Sequence, residues 1–147
     1  MFRPYKKDDR SLLIEMMNEF YHSPAVLHPV PMDNFLRTCQ ELDSESPYAE
    51  AYIFEQNDLP AGYALLAKTY SNEAGGMVVW IEEVYIHPDF RGCGLGSGFF
   101  QYIKDTYSKS AARLRLEVED DNIGAMRLYD RQGYKKLAYT QMIQELL

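Results

Sequence analysis

The chain has 147 residues, 46% of them hydrophobic and 14% aromatic, which suits one well-packed domain and excludes a disordered chain. A net charge of -7 argues against nucleic acid as the main partner, and no apolar run approaches a membrane span. Two cysteines, Cys39 and Cys93, are too few for a disulfide framework, and the opening MFRPYKKDD lacks an apolar signal core, so a reducing cytoplasm is the expected compartment.

In chain order, Met1 to Tyr5 reads as a short strand. Asp8 or Asp9 is a candidate N-cap for a helix whose apolar face is Leu12, Leu13, Met16, Met17 and Phe20. Three prolines, Pro24, Pro29 and Pro31, make Tyr21 to Pro31 a loop that also carries His22 and His28. These histidines lack metal-ligand spacing, and no metal site is expected. A second helix is predicted from Met32 to about Leu42, with Phe35, Leu36 and Cys39 inward. Ala49 to Glu55 and Ala61 to Tyr70 read as a hairpin turning at Gln56 to Leu59, and Met77 to Ile86 as the next strand. A helix from Leu95 to Ser108 then crosses to an alternating strand at Arg113 to Glu119, which implies a parallel pair. A short helix lies between Asp120, Asp121 and Asn122 as its cap and Gly133 as its stop. Tyr134 to Leu146 is expected to return as a last strand or hairpin.

The chemistry concentrates in Trp80 to Gln101, WIEEVYIHPDFRGCGLGSGFFQ. A strand runs into a break at Pro88, then into Arg91-Gly92-Cys93-Gly94-Leu95-Gly96-Ser97-Gly98, and then into a helix. Glycine allows positive φ and close approach of the backbone to an anion. The helix N-terminus points unpaired N–H groups and a positive dipole end at it. A phosphate-bearing ligand is therefore expected. The dinucleotide fingerprint G-x-G-x-x-G fails, because Ser97 or Phe99 stands where glycine is required. The nucleotide-triphosphate loop fails for want of a lysine before Lys104.

The pattern that fits is R-G-x-G-x-G. Arg91 to Gly96 closely resembles the acetyl-CoA pyrophosphate loop of the GCN5-related N-acetyltransferases. Asn122, Ala125 and Tyr129, followed by Gly133-Tyr134, resemble the same family's later helix. The resemblance covers about Met1 to Tyr139. It implies a mixed α/β fold: a mostly antiparallel sheet of six to seven strands, splayed between strands 4 and 5, flanked by about four helices, in a single domain spanning residues 1–147. Acetyl-CoA would lie in the splay. Backbone groups of Val84 and Ile86, with Tyr85 between them, would pair with its pantetheine arm. Amides from Gly92 through Cys93, Gly94, Leu95 and Gly96 to Ser97 would hold the pyrophosphate. Arg91 is a candidate phosphate contact. Asn122 would reach the arm, Ala125 would share its face, and Tyr129 would sit beside the sulfur. Cys93 occupies a spacer position of the family loop.

The implied reaction moves an acetyl group to a primary amine by direct attack, without an acyl-enzyme. An alkylammonium with a pKa of about 10 must first lose its proton. The thioester oxygen needs an N–H donor near Ile86 as it gains charge. The leaving thiolate, with a thiol pKa of about 8.5, needs a proton. Tyr129 is the expected donor. Glu82 is the expected base, acting through water from a face shared with Trp80, Val84 and Ile86, and Glu83 is its rival. A family-typical bulge in this strand would upset face assignment by alternation. Thr69-Tyr70-Ser71 and Ile81-Glu82-Glu83 resemble the diamine and polyamine acetyltransferases, although the turn aspartate of that group is replaced by Ser71. The acceptor is thus a small-molecule or protein amine, with a small cationic amine or polyamine favoured by charge. The alternative is an acyl-CoA-binding sensor on the same fold. The oligomeric state stays open, a homodimer included.

Overall fold

The computed structural model describes residues 1–147. Strands β1 (Phe2–Pro4), β2 (Ala49–Gln56), β3 (Leu59–Ser71), β4 (Gly76–Ile86) and β5 (Arg113–Leu116) form one sheet in that order. The first four pair antiparallel and β4 pairs parallel with β5. Helices α1 (Arg10–Tyr21) and α2 (Met32–Asp43) cover one face. Helix α3 (Leu95–Tyr107) covers the other, with α4 (Ile123–Arg131) beside it.

The helical periodicity translates into two cores. On one side Leu13, Met16 and Met17 of α1 meet Phe35 and Cys39 of α2 over Ile53, Tyr63 and Tyr85. On the other, Leu95, Phe99, Phe100 and Ile103 of α3 cover Phe54, Leu66, Val79 and Ile81. Phe99 is fully buried and its ring lies 4.7 Å from that of Phe54. Truncating it to alanine would cost about 3–5 kcal/mol. The β2–β3 hairpin turns through Asn57 and Asp58, both at positive φ, which these two residue types tolerate.

Four details depart from the sequence reading. Leu36 is 42% exposed, one step off the buried stripe set by Phe35 and Cys39. Asp9 precedes α1, yet its carboxylate accepts from the Lys6 amide and from Arg3 rather than from the helix. Strand β5 stops at Leu116 instead of Glu119, because its partner β4 leaves the ladder after Ile81. The sheet has five strands, not six or seven: residues 135–147 form no strand. They are held by side chains alone, Lys136 to Asp120 at 3.2 Å and Tyr139 to Glu73 at 2.7 Å.

The departure of β4 from β5 has a local cause. Leu65 pairs with Glu83 and Leu66 with Ile81, which leaves Glu82 as the extra residue of a β-bulge. A bulge bends its strand and shifts the side-chain alternation. Val79 and Ile81 face α3, and beyond the bulge it is Val84 and Ile86 that do so. Glu83 and Tyr85 are turned to the α1 side. The last β4–β5 pair, Ile81 with Leu116, sits just before the bulge, so the two strands part there.

Candidate active site

The parting strands open a cleft of about 2210 Å³. Glu82, Glu83, Val84, Tyr85 and Ile86 of β4 line it, as do Arg91, Gly92 and Gly96 of the glycine loop. From across the gap come Asn122, Ala125 and Tyr129. The sequence had therefore named residues that the fold does bring together. Cys93, Gly94, Leu95 and Ser97 belong to the loop without lining the cleft itself. The cleft also takes in Phe20, Tyr21 and the loop from Ser23 to His28.

Between Ile86 and α3, a short turn at Pro88–Phe90 leads into the loop. Gly92 and Gly94 sit at φ 75° and 82°, the left-handed region where a side chain is strained. The consequence lies in the hydrogen bonds. None of the six amides from Gly92 to Ser97 donates to another group of the protein. The first helical bond here is Gly98 N–H to Gly94 C=O at 2.9 Å. Six unpaired donors at a helix N-terminus fit a diphosphate, with the helix dipole adding to the attraction. Arg91 is exposed and donates through Nε to the Ile86 carbonyl at 3.0 Å, which braces the loop entrance. The Cys93 side chain is exposed.

Strand parity sets the rest of the ligand wall. His87 N–H donates to the Ala61 carbonyl at 2.8 Å. By alternation, the main-chain groups of Tyr85 and Glu83 also face β3. Those of Val84 and Ile86 face the gap, where β5 has ended; Arg91 occupies the Ile86 carbonyl, and the Val84 groups and the Ile86 N–H are available to an extended ligand. The side chain of Tyr85 is not part of that wall. It points to the α1 face, where its hydroxyl donates to Glu19.

The two glutamates occupy different surroundings. Alternation put Glu82 on a face with Val84 and Ile86, and the bulge breaks that assignment. Glu82 is exposed at the cleft. Partial desolvation first, and the carboxylate of Glu117 second, push its pKa up. Glu83 is only 7% exposed. Burial pushes its pKa up to about 7, opposed first by the Tyr63 hydroxyl and then by that of Tyr21, and assisted by the charge of Glu82. The Tyr63 hydroxyl donates to Glu83 Oε1 at 3.2 Å.

Helix α4 presents Tyr129. Asn122 caps the helix, its Oδ1 accepting from Ala125 N–H at 3.3 Å, so its side chain is engaged with the backbone rather than reaching out. At the other end Gly133, at φ 90°, permits the bonds Gly133 N–H to Asp130 C=O at 3.1 Å and Tyr134 N–H to Tyr129 C=O at 3.0 Å. This pair is the Schellman closure. It sets Tyr134 against Tyr129, and both rings pack edge-on to Phe100 at 5.8 and 5.2 Å. The Tyr129 hydroxyl has no protein partner among the hydrogen bonds. Burial raises its pKa, which keeps it protonated at neutral pH. The sequence reading missed Tyr21 and Tyr63. Their signal was the concentration of tyrosine, twelve in all, but only the bulge register reveals which of them meet a carboxylate.

The family model for the acetyltransferase (GNAT) family matches residues 13–134. The chain belongs to that family. Acetyltransferases of this kind draw the acetyl group from acetyl-CoA. Among curated relatives, the chain is 34% identical over 102 residues to thialysine N-epsilon-acetyltransferase of Bos taurus, covering 63% of this chain and 59% of that protein. It is 27% identical over 106 residues to the spermine/spermidine N(1)-acetyltransferase of Bacillus subtilis, covering 67% of this chain and 68% of that one. Among solved structures, a possible acetyltransferase from Clostridium difficile 630 superposes with a TM-score of 0.86 at 20% identity, over 100% of this chain and 97% of the other. No helix is long and apolar enough to cross a membrane.

Proposed function

We propose that the chain, acting as one domain in a reducing compartment, transfers acetyl from acetyl-CoA to the primary amine of a small cationic acceptor, with Glu83 as base and Tyr129 as proton donor. The observation that carries this reading is a buried carboxyl with a pKa of about 7 opening on the same cleft as six unpaired loop amides. A base must be ionised near the working pH and still strong enough to take a proton, and that value meets both demands. The charge of Glu82, next to the base and facing Glu117, favours a cationic acceptor over an anionic one. The relatives named for thialysine and spermine act on amines of this class.

In this scheme the loop amides fix the diphosphate, and the main-chain groups of Val84 with the N–H of Ile86 align the arm. The acceptor enters past Tyr21. Glu83 accepts the ammonium proton, directly or through water, and the neutral amine attacks the thioester carbon. A main-chain N–H at the open edge of β4 stabilises the developing oxyanion. The Tyr129 hydroxyl protonates the leaving sulfur as the C–S bond breaks, and the second proton shed by the attacking nitrogen returns to the Tyr129 oxygen, directly or through water.

The test is thiol release from acetyl-CoA with a panel of diamines, polyamines, lysine-like amino acids and peptides. Turnover with a cationic aliphatic amine is expected, with Tyr129→Phe lowering kcat while acetyl-CoA binding persists. Turnover confined to peptide amines or to uncharged amines would overturn the acceptor assignment.

A further inference from the structure

Glu83 is the one buried charged side chain of the molecule, and its surroundings are unusual for a carboxylate. It lies against the α1–α2 core, beside Tyr63 and Tyr85, which are themselves 0% and 5% exposed. From β3, the Tyr63 hydroxyl donates to it. From the end of α1, Tyr21 acts in the same direction, less strongly. From β4 come Tyr85 and the charge of Glu82. One step further out, Glu15 and Glu19 of α1 and Arg91 of the glycine loop bear on Tyr85, and Glu117 bears on Glu82. No lysine or arginine is among the groups that shift Glu83. A carboxylate buried this deeply without a cation depends on its hydroxyl donors.

Two features show that the donor is built in. Tyr63 pairs with Tyr85 across the β3–β4 ladder, and the bulge displaces Glu83 onto the same face. Were Glu82 paired in register instead of bulged, alternation from Ile81 would carry Glu83 to the α3 side, away from the Tyr63 hydroxyl. The ring of Tyr63 is clamped by Tyr85 at 5.9 Å and by Phe20 at 6.3 Å. Its hydroxyl therefore cannot swing away. The 3.2 Å separation is long for O–H···O, which leaves room to tighten when Glu83 ionises.

We propose that Tyr63 is a positioning residue for the reaction: its clamped hydroxyl donates to the Glu83 carboxylate, holds it at the cleft, and sets the pH at which it can act as base. The inference rests on the assignment of Glu83 made above. It adds a residue that lies outside the cleft wall and touches no substrate. Hydrogen bonds to an ionised group favour ionisation, whereas burial opposes it. Removing the bond therefore raises the pKa of Glu83. The base is then protonated over a wider range, and the acid limb of the pH–rate profile moves to higher pH.

The experiment compares the full-length chain with Tyr63→Phe, which keeps the ring and deletes one hydroxyl. Two readouts are taken: the pH dependence of kcat/KM, and the titration of the Glu83 side-chain carboxyl by 13C NMR, assigned with Glu83→Gln. Both are expected to shift to higher pH by roughly one unit. Tyr52→Phe is the control. It removes a hydroxyl bonded to Glu50 in the opposite core and should move neither readout. Tyr21→Phe, at a less buried ring, should give a smaller shift in the same direction, and it carries the test if Tyr63→Phe fails to fold. An unmoved Glu83 titration in these variants overturns the proposal. A moved titration with an unmoved rate profile supports the tuning of Glu83 by Tyr63 and overturns Glu83 as the base, so the two failures are distinguishable.

Discussion

The two walls of the cleft are made of different material. The wall at the N-terminus of α3 is backbone: six amides from Gly92 to Ser97 without partners, exposed because Gly92 and Gly94 take positive φ. The wall along β4 is side chain: Glu83, beside Tyr21 and backed by Tyr63 and Tyr85. In the proposed reading the backbone wall grips what every acyl-CoA shares, its diphosphate, and tolerates changes of side chain that preserve φ. A side-chain wall handles the amine and is sensitive to a single atom. Each wall should fail in its own way.

The largest expected effect lies on the side-chain wall. Glu83→Gln preserves shape and removes the proposed base, and kcat/KM should fall by about 10² to 10⁴-fold, the range for a general base. Acetyl-CoA affinity, measured by calorimetry, should stay within a few-fold. A joint loss of both would blur the division between the walls.

The same variant changes stability with pH. The folded pKa of Glu83 is about 7, above its ordinary value of 4.5. The folded chain thus holds this proton more tightly than the unfolded chain does. Its contribution is favourable below the ordinary value and is lost as pH rises through the folded one. The Gln side chain carries no such dependence. Denaturant unfolding should show Glu83→Gln gaining on the native chain between pH 5 and pH 8, by up to roughly 3 kcal/mol.

On the backbone wall, Gly94→Val forces a β-branched residue into the left-handed region at a cost of about 1–2 kcal/mol. Relief of that strain would remodel the loop, so acetyl-CoA should bind about tenfold more weakly, by calorimetry. The smallest effect belongs to α4, whose N-terminus also faces the cleft but is already capped. Asn122→Ala removes the bond to Ala125 and should lower stability by about 1 kcal/mol in thermal or chemical unfolding.

The contrast also explains what could be read from the sequence. A backbone site leaves its mark as glycine spacing, because φ is a property of residue type. Arg91 to Ser97 was therefore legible, as were the crossover through α3 and the Asn122 and Gly133 ends of α4. The side-chain wall depends on register. One extra residue at Glu82 moved Glu83 to the other face of the sheet, and alternation cannot signal that. Glu82 was accordingly the favoured base on sequence, whereas burial and the Tyr63 bond are the grounds on which Glu83 is proposed in its place. The expected last strand failed for a related reason. Residues 135–147 alternate well enough to suggest a strand, but no backbone hydrogen bond joins them to the open outer edge of β5, and alternation alone does not make a ladder.

The measurement that bears most directly on the central claim is an 15N amide titration with coenzyme A. Amides from Gly92 to Ser97 should show the largest shifts, moving downfield as each gains a phosphate acceptor, while those at the start of α4 move little. Unmoved signals from that loop, with the main changes at Ile123 to Ala125 or elsewhere, would contradict it.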